Sequence, residues 1–187
     1  MTKITAGVDE VGRGSLIGPV YAAAVILSKT INKKFLKDSK CLKKNKRDYL
    51  ANYIKKNSIW AIGKATQEEI ERLNILNASL LAMKRAIKKL RKKPNLVLID
   101  GNKLPKMKNY KLKSIISGDK KIPAISAASI IAKVTRDKMI IKLGKKFRGY
   151  NWDKNFGYGT KNHLKAIRNI GITIHHRRTY SPMNKIK

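Results

Sequence analysis

The chain has 187 residues, with 44 Lys and Arg against 11 Asp and Glu, giving a formal net charge of +33. This length suits one domain with a sizeable core, and a lone cysteine, Cys41, excludes an intramolecular disulfide and a thiolate metal site. The longest apolar run, Val20 to Leu27, is too short to span a bilayer, and Met1-Thr2-Lys3-Ile4 does not begin a signal peptide. The expectation is a soluble cytoplasmic protein with no membrane partner. Its charge calls for a polyanion, nucleic acid first, and because only 10 of the cations are Arg the attraction is diffuse.

In chain order, Ile4 to Val11 reads as a strand and Val20 to Leu27 as a second, buried one. Gly12, Gly14, Gly18 and Pro19 between them favour a hairpin-like return. From Leu42 to Lys56, Tyr49, Leu50, Tyr53 and Ile54 mark one face of a helix, with Asp38 and Ser39 as candidate N-caps. Ile59 to Thr66 is a third strand. Leu73, Leu76, Leu80, Met83, Ile87 and Leu90 then recur at steps of three and four, the core-facing stripe of a longer helix that Pro94 ends. Asn95 to Ile99 is nearly all apolar, as in a strand covered on both faces, and Asp100-Gly101 closes it. A short strand around Lys111 to Ile116 precedes Ser117-Gly118-Asp119. Ser126 to Phe147 reads as a helix in which Ala127, Ala128 and Ala132 permit close packing. Beyond Arg148, a short helix near Lys161 to Asn169 is followed by His175 to Arg178, read as a basic surface segment. Strands and helices interleave, which predicts an α/β layer fold.

The acids separate into two groups. Asp48, Glu68, Glu69 and Glu71 fall on helices or at their starts, where solvated or first-turn charge explains them. Asp9, Glu10, Asp100 and Asp119 each stand at or just beyond a predicted strand end, beside a glycine, where α/β sheets gather their sites. Like charges brought together there need cations, so the four form a metal-site hypothesis: divalent ions that orient water and stabilise the leaving oxygen of a phosphodiester. Neighbours on a strand point to opposite faces. Asp9 is therefore expected to bridge two ions, with Glu10 contributing through its carbonyl or from the other side. Gly12-Arg13-Gly14 taken alone is a glycine turn with an exposed Arg. Read functionally, its main chain meets a 2′-hydroxyl in the minor groove and Arg13 holds a phosphate. Tyr158 could pack on a sugar, Lys40 is one phosphate contact among many lysines, and Asp137 pairs with a basic neighbour or touches metal.

Asp9-Glu10-Val11-Gly12-Arg13-Gly14 with Gly18-Pro19-Val20 resembles the opening motif of ribonuclease HII, the type 2 ribonuclease H. Further motifs follow in that family's order: Asp38-Ser39-Lys40, Leu98-Ile99-Asp100-Gly101-Asn102, Gly118-Asp119-Lys120, Ser126 to Asp137, Gly157-Tyr158-Gly159-Thr160 and His175 to Arg178. The resemblance spans nearly the whole chain. It implies a ribonuclease H-like fold, a mixed central sheet flanked by helices, organised as one domain over 1–187 with 148–187 as a helical, basic appendage. It also implies a manganese- or magnesium-dependent endonuclease that cuts RNA in RNA–DNA hybrids, leaves 5′-phosphates by a two-metal mechanism, and incises 5′ of single ribonucleotides in duplex DNA. The family's four catalytic carboxylates fall on Asp9, Glu10, Asp100 and Asp119, and its junction-sensing residues on Gly12, Arg13, Gly14 and Tyr158. The intact Gly-Arg-Gly favours this branch over ribonuclease HIII. A monomer is expected, and the tail to Lys187 shows no aromatic clamp-binding peptide, which puts recruitment by a sliding clamp in doubt. Two rivals explain part of the sequence. A non-catalytic basic nucleic-acid-binding protein accounts for the charge but not the four acids, and a nuclease for another duplex accounts for both.

Overall fold

A computed structural model describes residues 3–32, 36 and 43–185. β1 (Thr5–Val11) and β2 (Val20–Leu27) form the expected antiparallel return, and β3 (Ser58–Ala65) extends it on the far side of β2. β4 (Leu96–Asp100) and β5 (Leu112–Ile115) add on the other side as parallel neighbours, giving a mixed five-stranded sheet of order β3-β2-β1-β4-β5. An α/β layer fold follows from how its two faces are covered.

One face takes α2 (Gln67–Lys88), and the other takes α1 (Lys44–Asn57) and α4 (Pro123–Lys146). Alternation in β1 sets this out. Ala6 and Val8 join the core under α2, while Val11 packs into the core under α1 and α4. Gly7 has to be glycine, since a Cβ there would lie 2.1 Å from the backbone carbon of Ala124. The first turn of α4 thus lies directly on β1, two residues from Asp9.

Several expectations are corrected. α1 begins at Lys44 and its N-cap is Lys43, without a side-chain cap bond, while Asp38 and Ser39 fall outside the described residues. Thr66 is no strand residue but the N-cap of α2. Its hydroxyl accepts from the Glu69 N–H at 3.3 Å, and Glu69 accepts from the Thr66 N–H at 2.9 Å, a capping box. Glu69 is also gripped by Arg85 at 2.6 Å on both oxygens, which pulls its carboxyl down to a pKa of about 2, so it is more than a solvated charge. The stripe on α2 holds only in part. Asn74, at φ 64°, interrupts the helix, leaving Leu73 and Leu76 half-buried, and the inner face is built on Ala78, Ala82 and Ala86 beside Met83 and Ile87. β4 alternates between buried and half-buried residues rather than being fully covered on both faces. α4 starts three residues earlier than expected because Pro123 is preorganised for a first helical turn.

The chain from 148 onward carries α5 (Trp152–Asn155), α6 (Lys161–Ile170) and a 3-10 turn at Met183–Lys185. Trp152, Ile167 and Met183 share a core with Leu16 and Ile17 of the β1–β2 connection and Ile140 of α4. His176 and Arg177 are buried, against the expectation of a surface segment. Their hydrogen bonds to Thr173, Gly18 and Arg13 turn a basic-looking run into packing. Among the described residues no helix is long and apolar enough to cross a membrane.

Candidate functional site

The register of β1 against β4 pairs Val8 with Ile99, so Asp9 and Asp100 are the next residues along two parallel strands. They share a cleft of about 390 Å³ with Glu10, Arg47, Lys133 and Tyr158. Asp9 lies on the α4 side, 5 % exposed. Its Oδ1 accepts the Glu10 N–H at 2.7 Å, and it takes a second bond from Ser129. Glu10 also lines a second cavity on the α2 side, with Ser79, Leu80 and Met83, in line with the opposite-face reading. Its Oε1 meets Arg13 Nη1 at 3.3 Å.

Burial, then the charges of Glu10 and Asp100, push the Asp9 carboxyl well above the ordinary range. Burial also raises Glu10, against the pull of Arg13. Asp100 Oδ1 accepts the N–H of Gly118 at 2.6 Å and that of Asp119 at 3.4 Å. Asp119, in the four-residue α3 (Gly118–Lys121), is buried, meets Asp100 through its backbone N–H, and lines a small recess with Ile122 and Ser126. Among the described residues, no three Asp, Glu, His or Cys side chains form a ready-made metal shell. Asp9, Glu10 and Asp100 are nevertheless hard oxygen donors, and burial together with the neighbouring acidic charges raises the pKa of Asp9 and Glu10. That is the chemistry a divalent cation would relieve.

The glycine turn stands beside these acids. Gly12 has φ +95°, and a Cβ on it would lie 2.2 Å from Arg136 Nε; Gly14 is open, its would-be Cβ 4.0 Å from Tyr158 Cε1. An antiparallel bridge joins Ser15 to Tyr158, and the Leu16 N–H donates to Gly157 O at 2.8 Å, so turn and tyrosine form one surface. Asp137 pairs with Lys133 at 2.9 Å, the basic neighbour of its first reading. Lys40 lies outside the described residues.

Sequence reasoning missed Arg47, Ser129 and Lys133. Arg47 was detectable, because it sits at helical spacing from the buried Leu50 and Ile54 and so puts a cation on an inward face. Lys133 lies 5.6 Å from the Tyr158 ring centroid, a relation set by tertiary packing alone.

A family model described as ribonuclease HII matches residues 6–182. A ribonuclease HII from Pelagibacter ubique (strain HTCC1062) is 71% identical over 184 residues, covering 98% of this chain and 99% of its own. One from Neisseria meningitidis serogroup B is 46% identical over 187 residues, covering 100% of this chain and 96% of its own. Among solved structures, ribonuclease H2 from Pyrococcus horikoshii OT3 superposes with a TM-score of 0.80 at 28% identity, covering 97% of this chain and 95% of that one. The ribonuclease HII solved in a PCNA complex from Archaeoglobus fulgidus gives 0.74 at 25% identity, covering 95% of each chain.

Proposed function

The chain belongs to the ribonuclease HII family, whose members are endonucleases acting on RNA in RNA–DNA hybrids, and we propose that it incises 5′ of single ribonucleotides embedded in duplex DNA. The observation that carries this reading is the meeting of Asp9, Glu10 and Asp100 in one cleft with a turn and a tyrosine able to inspect a ribose.

Asp9, Glu10 and Asp100 are the residues that would hold magnesium or manganese, with Asp119 as the fourth carboxylate of the set. Such ions, as a pair, supply charge neutralisation and water activation for phosphodiester hydrolysis. The chain's own residues do the rest. Arg13, Arg47 and Lys133 attract the phosphates, and the Arg13–Gly14 main chain presents N–H groups toward the 2′-hydroxyl. Tyr158 offers its ring to a sugar, and the open space beside Gly14 lets ribose and main chain come together. Water adds at phosphorus as the bond to the 3′-oxygen breaks, leaving a 5′-phosphate and a 3′-hydroxyl. The enzyme acts as a monomer with nucleic acid as its partner. Residues 148–187 serve as an appendage of a single domain, supported by the shared packing of Trp152 and Met183 with Ile17.

The test is a duplex DNA with one ribonucleotide, incubated with manganese, magnesium or chelator. One cut 5′ of the ribonucleotide, in metal only, supports the reading. A shifted but intact duplex would make the chain a binder, and equal cutting of all-DNA or all-RNA controls would make it another nuclease.

A further inference from the structure

Arg136 and Arg177 are both fully buried, and neither forms an ion pair among the described residues. Enclosing a guanidinium without a direct ion pair is unfavourable, and burial lowers the pKa of both, that of Arg177 to about 10, with the Asp137 charge opposing the shift at Arg136. Their donors converge on one target. Arg177 Nε donates to Gly18 O and Nη1 to Arg13 O, each at 2.9 Å. Arg136 Nη2 donates to Ile17 O at 3.2 Å, and Nη1 to Phe156 O at 3.1 Å. The Tyr180 hydroxyl adds a third donor by reaching Arg13 O at 2.8 Å. Three carbonyls of the β1–β2 connection therefore face inward onto cations. The N–H groups of Arg13 and Gly14, by contrast, make no hydrogen bond among the described residues. Phe156, two residues before Tyr158, is held at φ 51°, a conformation unfavourable for a side-chain-bearing residue, with its carbonyl on Arg136. Gly12 is what lets that guanidinium approach.

We propose that Arg136 and Arg177 are positioning residues that lock the carbonyls of the turn and of Phe156 inward, so that the Arg13 and Gly14 N–H groups and the Tyr158 ring face the substrate ribose as one preset reader. This rests on reading the turn as the ribose-sensing element. The guanidiniums touch no substrate. Their contribution is to specificity: a turn free to rotate its peptides would offer carbonyl and N–H alike to the groove and would distinguish a 2′-hydroxyl from a 2′-hydrogen poorly.

Arg177→Lys and Tyr180→Phe test this, the lysine because its single, rotatable nitrogen replaces the rigid Nε and Nη1 fork that reaches Gly18 O and Arg13 O. Thermal melts establish folding. Steady-state incision of the single-ribonucleotide duplex gives kcat and KM. Fluorescence anisotropy in chelator compares that duplex with its all-DNA twin. Folded Arg177→Lys should raise KM about tenfold, as the loss of one charge-assisted bond would. Its kcat should stay near wild type and its preference for the ribonucleotide duplex should vanish. Tyr180→Phe should shift both in the same direction by a smaller factor, and the double variant should be no worse than Arg177→Lys alone, because both donors serve Arg13 O. Wild-type KM and preference in a folded variant would overturn the proposal, and if Arg177→Lys does not fold, Tyr180→Phe decides alone. Wild-type protein showing neither incision nor preference would overturn the ribose-reading assignment and this inference with it. Active wild type with unaltered variants would overturn this inference only.

Discussion

Asp9 and Asp100 are strand neighbours in register, one residue beyond the Val8–Ile99 pair, so the fold itself presses two carboxylates together. Burial and the adjacent acids hold Asp9 above its usual pKa. The sign follows: a carboxyl raised on folding stabilises only while protonated, and that contribution is lost as pH rises through its folded value. Above the unfolded carboxyl's pKa the raised Asp9 therefore works against folding in the absence of a cation.

Asp9→Asn should accordingly be more stable than wild type in chelator at pH 7, by on the order of 1–3 kcal/mol, while losing cleavage. Added magnesium or manganese should raise the melting temperature of the wild type and leave the variant unmoved. Thermal melts with and without metal check this. A variant that melts lower than wild type in chelator would show that Asp9 is compensated already.

Gly12 and Gly14 flank a single residue, Arg13, yet should behave oppositely. Gly12→Ala combines a positive φ with a Cβ inside the Arg136 guanidinium, and should cost about 2–4 kcal/mol. Gly14→Ala meets open space and should leave stability within about 0.5 kcal/mol. It should still weaken binding to the ribonucleotide duplex, because the methyl stands between the main chain and the sugar. Denaturant melts paired with anisotropy separate the two effects.

The buried His176 gives the C-terminal part a pH dependence. Burial first, then His163, pushes its pKa down from the ordinary 6.5 to about 4, so the folded protein keeps it neutral. Between those values the unfolded chain binds the proton first, and stability present above pH 6.5 is lost as pH falls toward 4. His176→Asn can still accept from the Thr173 N–H, so it should be less stable at pH 7 but lose less on acidification. Melting temperatures at pH 7, 5.5 and 4.5 check the slope.

What the sequence disclosed and what it hid follow a physical line. β1, β2 and their return were legible because alternation and glycine spacing are local signals, and Asp9, Glu10 and Asp100 because few acids sit at strand ends in so basic a chain. The inner face of α2 was misread because alanines carry little hydrophobic signal, although their size is what lets the helix approach the sheet. Arg177 was hidden for a different reason. A basic run ordinarily reads as surface, and its burial depends on carbonyls more than 150 positions away.

With 44 cations and 11 acids, docking should release many counterions. Affinity for the ribonucleotide duplex should fall by on the order of 10³ between 50 and 200 mM salt. Anisotropy titrations across that range measure it, and a flat response would remove the basic surface from substrate binding.

The acids of β1 and β4 are proposed to act with the neighbouring turn as a metal-dependent ribonucleotide nuclease. The most direct measurement is strand mapping of a duplex DNA carrying one ribonucleotide, with and without divalent metal, for wild type and Asp100→Asn. The account predicts a single metal-dependent incision on the 5′ side of the ribonucleotide by wild type and none by the variant. Undiminished cutting by Asp100→Asn, or cutting in chelator, would contradict it.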